Sequence, residues 1–126
     1  MDEEKIGRNN LAVSTSGIIT DQKLIEPGVT VMNSVAGYKL EDDVILHIFG
    51  INVRVGAAAT VTFKIGSETI YITTLTGAGD IDIDFSYTRY GKSKANLTVS
   101  CTANTTIIGN IVWGFEFAGG PVAQVN

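Results

Sequence analysis

The stretch VILHIFGINVRVGAAATVTFKI, residues Val44 to Ile65, decides how this chain folds. Ile51, Val53 and Val55 alternate with Asn52 and Arg54, and Val61, Phe63 and Ile65 alternate with Thr62 and Lys64. Side chains two apart on a strand share a face, so each run has one apolar and one wet side. The β-branched residues suit such a pleated, half-buried surface. Gly56-Ala57-Ala58-Ala59 has the length of a hairpin turn, and Gly supplies the backbone freedom, so the two runs are expected to form a hairpin. Upstream the phase differs: Val44, Leu46 and Ile48 fall on even positions, Ile51, Val53 and Val55 on odd ones. The change falls at Phe49-Gly50. A bulge there would re-aim the strand or carry it across the sandwich edge as a corner.

The same grammar runs outward in both directions. Residues 1–10 are charged and aperiodic and read as a flexible arm. Leu11–Thr20 and Val29–Val35 read as strands, with a turn at Pro27-Gly28 and a polar loop over 36–43. Beyond the central runs, Thr69–Thr76 carries Ile70 and Ile72 opposite Tyr71 and Thr73. Gly77-Ala78-Gly79 makes a turn, and in the strand that follows Ile81, Ile83 and Phe85 share a face. Residues 86–94 read as a loop, Leu97–Thr102 as a strand and 103–106 as a turn. In the last strand Ile111, Trp113, Phe115 and Phe117 share one face, the expected centre of the core, because rings bury the most area. Residues 118–126 form an extended tail, since Gly-Gly-Pro cannot start a helix there. About eight short strands with turn signals between them predict an all-β, two-sheet antiparallel sandwich over 11–117, jelly-roll-like. An immunoglobulin-like sandwich ranks second, because the paired cysteines and Trp spacing of that family are missing.

At 126 residues one domain can bury a core without metal or disulfide help. Only 17% of residues are charged and the net charge is −4, which disfavours nucleic acid as a partner. The single cysteine, Cys101, is in phase with Leu97 and Val99 and reads as a core residue. A nucleophilic role would need a base, and the single histidine, His47, is out of phase with the inward positions of its strand. The acidic, polar start does not look like a signal peptide, and no run is long enough to span a membrane, so synthesis in a cytoplasm is expected.

Two adjacent segments carry the surface chemistry. Asp80, Asp82 and Asp84 line the outer face of one strand. Residues two apart stand roughly 6.6 Å apart along a strand, so three carboxylates spread too far to converge on one calcium ion. Nor do they oppose each other across a cleft as a glycosidase pair must. A solvated, charge-protected edge or a subunit contact remains. The following Ser86–Lys94 joins three basic residues to Tyr87 and Tyr90, types enriched where proteins meet. It also reads as an ordinary exposed loop, or as a surface for a glycan or for stacked bases. Opposite signs side by side suit a rotational trimer, whose interfaces join two different patches. Asp82 and Asp84 of one copy are expected to face Arg89 or Lys92 of the next, with Tyr87 and Tyr90 in the contact. Catalytic, cofactor and metal residues are not expected.

The segments INVRVGAAATVTFKIGSETI and ANLTVSCTANTTIIGNIVWGFEF resemble the small β-sandwich virion proteins of tailed bacteriophages. There an alternating strand leads through an Ala-rich turn into a T-x-T-F-like strand, and a segment like Leu97–Ile111 leads into the final one. The resemblance spans roughly residues 44–117. It implies a structural, non-enzymatic virion component. The leading form is a trimeric decoration (cement) protein on the capsid exterior that bridges major capsid proteins. The alternative is a fibre-tip or receptor-binding module for a host surface glycan.

Overall fold

A computed structural model of the chain describes residues 7–26, 44–92 and 94–117. Eight strands follow in order: β1 Asn9–Gly17, β2 Gln22–Ile25, β3 Val44–Val55, β4 Ala59–Ile65, β5 Glu68–Leu75, β6 Gly79–Tyr90, β7 Leu97–Cys101 and β8 Thr105–Phe117. They form two four-stranded antiparallel sheets, ordered β1-β8-β3-β6 and β2-β7-β4-β5. The described residues contain no helix.

This order has a simple origin. β1 pairs with β8, β2 with β7, β3 with β6 and β4 with β5, so the chain is one long ribbon doubled back at the β4–β5 turn. Rolling that ribbon adds the pairs β8–β3 and β7–β4 and closes two sheets over one core. That is the jelly-roll solution, which leaves few strand edges exposed. The ribbon's apex is the two-residue turn Gly66-Ser67, where Gly66 takes φ +61°, as the first central position of a type II′ hairpin requires.

Inward positions fill the space between the sheets. Val44, Leu46, Ile48, Ile51, Val53 and Val55 from β3 meet Val61, Phe63 and Ile65 from β4, all essentially buried. Ile107, Ile111 and Trp113 complete the β8 side, with Phe115 partly buried beside them; the side chain of Phe117 lies outside the described residues. Cys101 is a free thiol packed against the same core.

Several expectations change. β3 and β4 do not form a hairpin: they lie in opposite sheets, and Gly56–Ala58 is a corner between them. Alternation is the same whether two runs pair side by side or face each other across a core, so the pattern could not separate the two. The irregularity at Phe49 is present, but β3 remains paired with β8 on both sides of it, so the strand is bulged within one sheet rather than passed to the other. β1 begins at Asn9, which shortens the expected arm, and Arg8 lays its guanidinium over the Phe49 ring at 4.1 Å. β1 also ends earlier than foreseen, at Gly17 with φ +97°. β2 was not foreseen. The strand expected over 29–35, the Pro27-Gly28 turn, the loop over 36–43, the first six residues and the tail 118–126 lie outside the described residues. In β5 a register shift at Ile70 lets Ile70 and Tyr71 both pack on the core and leaves Ile72 exposed. The loop foreseen from residue 86 is still strand up to Tyr90.

Candidate subunit interface

β6 is the edge strand of its sheet, and its register on β3 sets what each outer side chain meets. Asp80 lies opposite Arg54, Asp82 opposite Asn52, and Asp84 opposite Gly50. Among the described residues only the first carboxylate finds a cation, Arg54 Nη1 standing 3.3 Å from its Oδ1 with both groups largely exposed. The second faces a neutral amide and the third faces no side chain at all. Cross-strand opposite charges offset like-charge repulsion along a strand, so Asp82 and Asp84 are left uncompensated among the described residues.

These two acids line a shallow groove of about 410 Å³ on the outer face of the sheet, together with Asn10, Asn52, Asn110 and Val112. Gly50 forms part of its wall for a steric reason: a Cβ there would stand 2.9 Å from Asp84 Oδ1 and 3.0 Å from the Ile83 carbonyl oxygen. Asp84 therefore leans over β3 only because that position is glycine. Among the described residues, none of the groove's three amides or two carboxylates has a side-chain hydrogen bond or ion pair. Ile108, 53% exposed, adds an apolar element to the same face beside Arg54.

At the far end of β6 the register breaks. Phe85, Ser86, Tyr87 and Thr88 fall opposite the single residue Phe49. This wide bulge throws Tyr87 outward, where it is 75% exposed. Arg89 lays its guanidinium 4.8 Å from the centre of the Phe85 ring, and Tyr90 stacks on His47 with centroids 5.0 Å apart while remaining 58% exposed. Lys92 is exposed and makes no ion pair among the described residues. The six foreseen contact residues thus split into two groups: Asp82 and Asp84 over the groove, and Tyr87 on the bulge, Arg89 and Tyr90 after it and Lys92 just past the strand's end.

The bulge also builds a feature that sequence reasoning missed. His47 points to the outer face, as its phase requires, yet is only 2% exposed. Its Nδ1 is 2.7 Å from Thr88 Oγ1 and its Nε2 is 2.6 Å from Glu116 Oε1. A carboxylate can only accept, so the Nε2–H donates to Glu116; in the neutral ring Nδ1 then accepts from the Thr88 hydroxyl. Hydroxyl, imidazole and carboxylate in a row is the layout that activates a nucleophile. Here Thr88 is buried, so its hydroxyl is not presented to a substrate. The bonds instead tie β6, β3 and β8 together and clamp the bulge. The partners are 41 and 69 residues from His47. The one sequence signal was the out-of-phase histidine itself.

Among the described residues no group of three or more His, Cys, Asp or Glu is placed to hold a metal ion. Compared with protein-family models, with curated proteins and with solved structures, the chain shows no match to any of them.

Proposed function

We propose that the chain is a virion structural protein of a tailed bacteriophage, a capsid decoration or cement protein that trimerises on the shell exterior and bridges neighbouring major capsid proteins. The observation that carries this reading is the edge strand β6: Asp82 and Asp84, uncompensated among the described residues, on one side of its bulge, and Tyr87, Arg89 and, just past its end, Lys92 on the other, on an eight-strand sandwich. A fold alone assigns no function, but a surface with both signs displaced along one edge suits contact with neighbours. The resemblance of residues 44–117 to phage sandwich proteins supplies the setting. The mechanism needs no chemistry: a protein that binds the assembled shell but not its dissociated parts stabilises the shell by mass action. The test is cosedimentation of purified protein with undecorated phage capsids, followed by heating. Retention on particles, with a rise in their disassembly temperature, is the expected result; protein left wholly in the supernatant counts against the reading.

One observation favours a second reading, a fibre-tip module for a host surface glycan. Tyr87 stands on the crest of the bulge as an open aromatic face, and such faces suit sugar rings as well as proteins. That reading predicts binding to host cells that the substitution Tyr87→Ala abolishes, with no retention on capsids.

A further inference from the structure

The groove is the strongest unassigned feature of the molecule, and we infer that it is a socket for a second copy of this chain, entered by the Lys92 end of that copy's β6. The inference rests on the trimeric reading above and names the surfaces involved. Three observations select this occupant. The groove presents two carboxylates that no described residue neutralises, so it attracts a cation and repels phosphates and acidic partners. The three amides beside them, each able to donate and accept, have no side-chain partners of their own among the described residues. The matching basic end lies on the same edge: Tyr87 and Arg89 are exposed late in β6, and Lys92, two residues past the strand's end, carries a charge with no ion-pair partner among the described residues.

Socket and basic end are different patches of one chain, so the contact is heterologous and repeats from copy to copy until it closes into a ring. A metal ion is a poorer occupant, since among the described residues no group of three or more His, Cys, Asp or Glu is placed to hold one. The pairs are solvent-exposed and worth little each in salt. Shape and the buried parts of Tyr87, Ile108 and Val112 must therefore supply most of the association, and the charges set the register and the partner.

The experiment uses two full-length variants and native mass spectrometry, with no capsid present. Asp82→Lys with Asp84→Lys makes both patches basic. Arg89→Glu with Lys92→Glu makes both acidic. Each variant alone is expected to be monomeric, with association weakened at least tenfold against wild type. Mixed one to one, they should associate, because the intact basic end of the first fits the intact acidic socket of the second. Either variant remaining a trimer, or the mixture failing to associate, overturns the inference. All four positions are exposed, and a variant that does not fold is replaced by Asp84→Asn or Lys92→Gln, each expected to weaken association several-fold. Because association is read in solution, its failure is distinct from a failure to bind capsids, which cosedimentation reads separately.

Discussion

At the scale of single residues, the most consequential side chain is one whose position looked unremarkable. His47 sits on the solvent side of its sheet yet is buried, because the β6 bulge folds Thr88 and Tyr90 against it and β8 brings Glu116 to its other nitrogen. Burying a polar ring is tolerable only when its nitrogens are satisfied. Thr88→Val keeps the shape but removes one partner, leaving Nδ1 buried and unpaired. The expected cost is about 1–3 kcal/mol of unfolding free energy, read from a denaturant titration. Glu116→Gln should cost less, since an amide oxygen in the same place still accepts from Nε2. Equal stability for Thr88→Val and wild type would show that the bond contributes nothing. The alternation of VILHI placed His47 outside correctly. It could not show what covers it, because both partners arrive through long-range register.

Elements were legible to the extent that local pattern fixes them. The inward sets of β3, β4 and β7 follow their alternation, and the phase change at Phe49-Gly50 marked a real bulge. The acid-bearing half of β6 did the same, with Ile81 buried and Asp80, Asp82 and Asp84 outside. What failed were statements about which strand lies beside which. β3 and β4 both alternate and are joined by a short turn, which fits a hairpin and a corner equally well. In β5 and late β6, bulges reset the alternation, and no local residue preference announces them. A second element-scale feature is the close approach of β8 to β3 at Gly109. A Cβ there would stand 2.1 Å from the Asn52 carbonyl oxygen and 2.6 Å from Val53 Cα, both backbone. Gly109→Ala must therefore push two central strands apart. The expected loss is at least about 1–3 kcal/mol, the range for overpacking a filled site, visible as a lowered thermal midpoint. A variant as stable as wild type would mean the strands can separate freely at that point.

For the whole molecule, the rolled ribbon explains both rigidity and surface. Pairing β1 with β8 joins the two ends of the described chain, so stability depends on contacts far apart in sequence. Such topologies fold in milliseconds to seconds rather than microseconds, which stopped-flow refolding can check. The same roll leaves β6 at a sheet edge, with its two charged ends displaced along one strand. The juxtaposition of signs on which the proposed interface rests was legible in sequence. The groove was not, because Asn10, Asn52 and Asn110 come from three different strands and meet only through register. The central claim is that this block is made to be held by its own copies. Sedimentation equilibrium of the wild-type chain tests it most directly. The account predicts a species of three times the 13.4 kDa chain mass, shifting toward the monomer as salt rises. A single 13.4 kDa species at every concentration and salt, or a dimer in place of the trimer, would contradict it.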